Sequence, residues 1–395
     1  MNRTLFILIC LVMLASCDKM DISPAQADSF IKFYNTFPVF TGSDVKEIPG
    51  KGYVILGTVE SNTEGKQICL IRTDLYGNSV DTARYYGDPL DQEACHIEVL
   101  NDRGFAILAQ TVDASNKKAV LFIRTDSVGN IVIERTISGP YDIEPKSMRV
   151  DASGSFYMVG YGLSTKGGAP LNRDIWLYAL NQQGEPLWAD QRFIGFSAND
   201  DEGNDLQLLP DGRLVITGTT TDPEKKMRAF VLRTGSTGLG GSLFTINSDF
   251  DETASCIQIV DENTFIISGT TQTSSSSGRA MMKKVTYSPS GVITAWGNSY
   301  GETNSTGVCT ILDENNLYLL ATTASTGINT TITLITTDPD GENAVYSEIG
   351  EGTQLSASSF EKASDNGFII AGTNKHSEND QSMALIKLKS SGSLW

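Results

Sequence analysis

The chain has 395 residues, with 30 Lys plus Arg against 47 Asp plus Glu and a formal net charge of −17. An acidic chain without a basic patch excludes a nucleic-acid backbone or an anionic lipid surface as a partner recognised by charge. Its two histidines are too few for a His-rich zinc site.

In chain order, residues 1–17 come first and read MNRTLFILICLVMLASC. Arg3 followed by an apolar run from Leu5 to Leu14 is a secretory signal. Leu14-Ala15-Ser16-Cys17 resembles the lipobox of bacterial lipoproteins. That resemblance implies cleavage before Cys17, lipidation of that cysteine, and a body anchored in the cell envelope, at the surface or periplasmic face of an outer membrane. A plain signal peptide followed by a chance cysteine is the alternative. The expected division is a signal over 1–16, a lipidated Cys17 with a flexible tether over 17–28, and one folded body over 29–395. No later stretch approaches the roughly 20 apolar residues that a membrane span needs.

The segment Phe30–Phe37, FIKFYNTF, reads as a lone apolar strand. A degenerate repeat of about 50 residues follows, the sequence signature of a β-propeller blade. Its anchors are Tyr53, Phe105, Phe156, Leu214, Phe265, Leu317 and Phe368, each with Gly or Ala four residues on. A turn glycine follows each anchor, at Gly77, Gly129, Gly184, Gly238, Gly291, Gly341 and Gly392. Each repeat divides into four strands, A to D. In the first these are Asp44–Ile48, Tyr53–Thr58, Ile68–Thr73 and Val80–Tyr86. The A–B and C–D connections are tight, as in NDRG and DLYGN, and Gly after three turn residues supplies the positive φ of a bulged type I hairpin. The B–C loops vary and share one face with the D–A loops. The last repeat lacks strand D, because the chain ends soon after Met383–Lys389. The expected fold is therefore an all-β, seven-bladed β-propeller of four antiparallel strands per blade, closed by the N-terminal strand.

GFAILAQT…LFIRTDSVGN and GFIIAGTN…ALIKLKSSG resemble the repeat DGGYIIAGT…WLIKTDSNGN of bacterial surface and secreted propellers, many of them lipoproteins. The likeness covers 30–395 and carries turn glycines and core apolar residues rather than chemistry.

Chemistry is sparse. Cys69, Cys95, Cys256 and Cys309 show no C-x-x-C spacing and read as buried free thiols rather than disulfides or metal ligands. His96 reads as a packed residue and His376 as a surface one. Asp200–Asp205, DDEGND, lacks the alternating ligands and the distal Glu of a calcium loop. Glu93, Glu144, Asp201, Glu202, Asp251 and Glu252 precede or open strand A and are expected to rim the central channel, either as a polar ring or as caps on backbone amides. Together with Lys117, Lys118, Lys225, Lys226 and Arg228 of the B–C loops they form the expected partner-binding face. No catalytic residue, cofactor or metal is assigned. The resulting expectation is a non-catalytic binding or scaffold lipoprotein, accessory to an outer-membrane protein complex, with a glycan as a possible ligand. The alternative is a carbohydrate-active enzyme using paired carboxylates at the channel mouth.

Overall fold

The structure, a computed structural model, describes residues 28–394 except 62–64, 88–90, 166–170, 275–276, 302–303, 314, 325–328 and 351–353. The signal, Cys17 and most of the tether lie outside the described residues. The described elements are 28 strands. β1 (Phe30–Tyr34) precedes β2 (Val39–Ile48), β3 (Gly52–Ser61), β4 (Gly65–Arg72) and β5 (Arg84–Tyr86). Then come β6 (Glu93–Val99), β7 (Phe105–Val112), β8 (Lys118–Thr125), β9 (Ile131–Ile137), β10 (Ile143–Val150), β11 (Phe156–Ser164), β12 (Asn172–Leu180) and β13 (Arg192–Ile194). β14 (Asp200–Leu208), β15 (Leu214–Thr221), β16 (Met227–Thr234), β17 (Ser242–Thr245), β18 (Asp251–Ile259), β19 (Thr264–Ser274), β20 (Ser277–Ser288) and β21 (Gly291–Tyr300) follow. The last are β22 (Ser305–Leu312), β23 (Leu317–Ala324), β24 (Thr330–Thr337), β25 (Val345–Ile349), β26 (Leu355–Lys362), β27 (Phe368–Ser377) and β28 (Asp380–Leu388).

β6–β9, β10–β13, β14–β17, β18–β21 and β22–β25 are five antiparallel four-stranded sheets. The remaining strands form one eight-stranded sheet in the order β26-β27-β28-β2-β3-β4-β5, with β1 also on β28. β1 runs antiparallel to β28 from Phe30↔Lys387 to Tyr34↔Met383. β2 touches β28 only through the parallel pair Val39↔Gln381. The first strands β2, β6, β10, β14, β18, β22 and β26 contact one another in a closed cycle. The fold is thus all-β and of the propeller kind. The N-terminal strand is shorter than the sequence suggests and stops at Tyr34, before the bend over 36–38 that leads into β2.

The core lies between sheets. β3 buries Tyr53, Val54, Ile55 and Leu56 in succession, so both of its faces are covered. One face joins Ile97, Phe105, Ile107 and Leu121 of the next sheet. All seven repeat anchors are buried, each worth roughly 1.5–3 kcal/mol relative to exposure. The Gly four residues after an anchor has a local cause. Each first strand carries a β-bulge opposite that position, between Gly42/Asp44, Ala94/His96, Pro145/Ser147, Gly203/Asp205, Ala254/Cys256, Gly307/Cys309 and Ala357/Ser359. The distorted ladder brings a carbonyl onto the facing Cα, so a methyl at Gly218 would meet Glu202 O. Cys256 and Cys309 form a disulfide with a Cα–Cα distance of 5.1 Å, which corrects the free-thiol reading of that pair. They occupy corresponding post-bulge positions of β18 and β22, which the ring sets side by side. Cys69 and Cys95 are free.

Candidate functional site

The seven residues extruded by the bulges, Ser43, Cys95, Lys146, Asn204, Ser255, Val308 and Ser358, all line one central cavity of about 290 Å³. Below them runs a chain of alternating charge. Lys46 pairs with Glu361 at 3.0 Å, Glu98 with Arg149 at 3.6 Å, and Arg149 with Asp205 at 3.0 Å. His96 bridges Asp44 at 3.2 Å and Glu98 at 3.1 Å. Burial works against the charge of Glu98, but Lys46, His96 and Arg149 outweigh it and hold its carboxyl down at about 2. Burial pushes Glu361 the other way, upward, against the pull of Lys46. Asp44 and Asp205 also accept N–H bonds from Ile97 and Ile257 of the following sheets, at 3.0 and 3.1 Å. These groups tie sheets together.

The acidic residues opening the first strands serve two different ends. Asp91, Asp142, Asp200 and Asp251 accept the backbone N–H of Lys66, Lys118, Arg173 and Met227 in the preceding sheet, at 2.9, 2.9, 3.0 and 3.0 Å. Two residues on, Glu93, Glu144 and Glu202 point to the cationic side chains of that same strand. The pairs are Glu93–Lys66, Glu144–Lys118 at 2.6 Å, and Glu202–Arg173. DDEGND is therefore a strand, β14, whose carboxylates diverge.

Tyr161 of β11 stands among these pairs. Its hydroxyl donates to Glu144 Oε2 at 2.6 Å. Lys146 Nζ lies 5.4 Å and Arg173 Cζ 5.2 Å from its ring centroid, close enough for cation–π attraction. Burial disfavours the ionised form of Glu144, yet the bonds from Lys118 and Tyr161 prevail and keep its carboxyl below its usual value. Burial and then Glu144 raise Tyr161. The pair therefore rests as a neutral phenol donating to a carboxylate.

Not every residue expected on this face is exposed. Asp201 and Glu252 are corrected, being 0% and 3% exposed. They hold the same ladder position in β14 and β18, and strand alternation turns that position between sheets. Glu252 pairs there with Lys283 at 2.7 Å. Asp201 accepts the Phe196 N–H at 2.6 Å, and burial, with a smaller contribution from Asp174, raises it to about 6. Lys117 donates to Gly139 O at 3.1 Å and Arg228 to Ser248 O at 3.0 Å. Lys225 and Lys226 are exposed at the β15–β16 turn, where Lys226 pairs with Glu224 at 3.2 Å. Sequence reading missed Tyr161 and Arg173. Their signal was the ladder position of each beside an acidic strand opening. Among the described residues, no three His, Cys, Asp or Glu side chains gather as a metal cage.

No family model and no curated protein matches the chain. Among solved structures, the Trypanosoma rangeli sialidase aligns at a TM-score of 0.54 and 12% identity, over 86% of this chain and 60% of that one. Its complex with 2,3-difluorosialic acid, a covalent intermediate, aligns at 0.51 and 12% identity, over 87% and 60%. The β-propeller domain of the Trilobed protease from Pyrococcus furiosus aligns at 0.50 and 11% identity, over 87% of this chain and 95% of that domain. The chain thus spans about 60% of the sialidase's length. The likeness is one of fold. It corrects the expectation of a non-catalytic scaffold, because a sialidase is among the structures that share the fold.

Proposed function

We propose that the chain is a carbohydrate-active enzyme whose site is the cluster around Tyr161. The observation carrying this reading is the 2.6 Å bond from Tyr161 to Glu144, set among Lys118, Lys146 and Arg173 with Glu202 at the corresponding position of the next first strand. Most glycoside hydrolases use two carboxylates, and sialidases place a tyrosine as nucleophile. Tyr161 Oη attacks the anomeric carbon while its proton passes to Glu144. The bond to the aglycone oxygen breaks, and that oxygen takes a proton from water at the half-open site. Water, whose proton is taken up by the hydroxide left from the first step, then attacks the anomeric carbon, and Glu144 returns its held proton to the departing Tyr161 oxygen, restoring phenol and carboxylate. Lys118 and Arg173 hold the paired carboxylates Glu144 and Glu202 in place. The test is turnover of a panel of neutral and acidic aryl glycosides. Glu144→Gln and Tyr161→Phe are each expected to lower kcat about 100-fold or more with unchanged thermal melting. A wild-type protein inert across the panel, or variants as active as the wild type, overturns the reading.

For the scaffold beneath this site, we infer seven blades in a ring closed by β1. Tyr34 of β1 donates to Gly77 O at 2.7 Å, as Tyr86 of β5 does to Gly129 O at 2.8 Å and Tyr300 of β21 to Gly341 O at 2.7 Å. An outer-strand tyrosine resting on the turn glycine of the next set is a repeating feature, and β1 takes the outer role for β26–β28.

We further propose that the body is held in the cell envelope by a lipid on Cys17. The signal and lipobox support this, as does the Cys256–Cys309 disulfide, a bond that persists in oxidising compartments. Cys17→Ser is expected to remove lipid labelling and release the body from the membrane fraction. Full retention without label counts against the anchor.

A further inference from the structure

The boundary between β10–β13 and β14–β17 carries a feature its neighbours lack. Asp174 and Asp201 are both buried, at 3% and 0% exposure, and they converge. A methyl group added at Gly195 would fall on Asp174 Oδ1 and Asp201 Oδ2 together. Ser164 donates to Asp174 Oδ2 and Phe196 N–H to Asp201 Oδ2. Asp201 Oδ1 is buried without a hydrogen-bond partner. Neither carboxylate is in an ion pair among the described residues.

The corresponding positions at the next two boundaries hold cations. Asp174 pairs with Gly162, Arg228 with Thr220 and Arg279 with Thr271, the same ladder step in three sheets. Arg228 donates to Ser248 O at 3.0 Å, and Arg279 to Gly301 O at 3.0 and 2.8 Å. In both, a guanidinium fills the space beneath the connection to the following set. At Asp174 that space receives two carboxylates and, among the described residues, no positive group. Burying two like charges in contact is unfavourable unless a positive charge joins them.

We propose that Asp174 and Asp201 bind a hard divalent cation of the Ca²⁺ class under Gly195. Carboxylate oxygens suit such an ion, and with only two protein carboxylates water completes its shell. The site locks the connection from β13 to β14 as the guanidinium groups lock the equivalent connections. It is separate from the Tyr161–Glu144 pair, so the two readings stand or fall independently.

The probe is CaCl₂, with MgCl₂ as comparison, added to the chelator-treated full-length protein and followed by calorimetry and thermal melting. A single Ca²⁺ site with a Kd of order 10⁻⁴–10⁻³ M is expected, the range of extracellular calcium modules, with a rise in Tm on saturation. Asp174→Asn and Asp201→Asn are each expected to abolish the heat of binding while keeping a cooperative melt. Glu252→Gln, at the same ladder position as Asp201 in the next sheet, leaves Ca²⁺ binding intact and controls for general loss of buried acid. Absence of Ca²⁺ heat and of any Tm shift in the wild type overturns the proposal. So does binding that survives in both aspartate variants.

Discussion

Glu98 shows how one side chain in the central cavity organises its surroundings. It stands between Lys46 and Arg149, whose positive charges would otherwise face each other at the central cavity. Its carboxyl titrates at about 2 in the folded chain against an ordinary 4.5. A depressed carboxyl contributes stability that is fully present above the ordinary value and is lost as pH falls through the folded one. The contribution is about 3 kcal/mol at neutral pH. Glu98→Gln is therefore expected to lower urea-unfolding stability at pH 7 by about 2–4 kcal/mol, since it removes one of the carboxylates that balance Lys46 and Arg149. It is also expected to flatten the loss of stability between pH 4.5 and pH 2. A variant with the wild-type midpoint and the same acid slope removes Glu98 from this role. This group is not legible in the sequence, because Glu98 meets Lys46 and Arg149 only after three repeats are placed side by side. His96 was readable as a packed residue, but its two carboxylate partners were not.

At the scale of elements, the legible features are those a few residues can enforce. Every turn glycine identified from sequence has positive φ, from 69° at Gly238 to 157° at Gly291. The anchors are buried for the same local reason, since a strand covered on both faces must be apolar throughout. The bulges were not read, although the pattern of a small residue, an extruded residue and a polar residue recurs in Gly42-Ser43-Asp44 and Gly203-Asn204-Asp205. A bulge is a property of two paired strands, and a single chain segment shows only its consequence, the glycine opposite. The disulfide carried a clearer signal. Cys256 and Cys309 are 53 residues apart, close to one repeat, and each follows a small residue by two. Cysteines in register on adjacent repeats are brought together by closure of the ring. The loops are the least legible: the B–C connection of the last repeat is mostly strand, because β27 continues to Ser377 and β28 starts at Asp380. Its polar composition hides a hairpin extension whose ladder runs through backbone groups.

For the whole molecule, the closing contact decides whether the repeated units behave as one cooperative body. Repeats that touch only their neighbours gain stability from each interface, and a ring converts two exposed ends into one more interface. In the closure proposed above, that interface rests on β1. Ser29 Oγ donates to Leu394 O, Phe30 and Lys32 lie against Gly77, and Tyr34 bonds Gly77 O at 2.7 Å. Phe30, Tyr34 and Phe37 pack on the cluster containing Tyr53, Ile369 and Leu385, so the strand joins the two ends of the chain through apolar contact as well as through its ladder. Removing residues 28–37 uncovers the edge of β28 and this cluster together. The expected result is a fall in Tm of at least roughly 5 °C, from a few kcal/mol of lost burial in a chain of this size. Concentration-dependent association should accompany it, because an uncovered edge strand pairs with other chains. Melting and light scattering on the truncated body measure both. A truncated protein that melts at the wild-type temperature and stays monomeric means that β2 alone, through Val39↔Gln381, closes the ring.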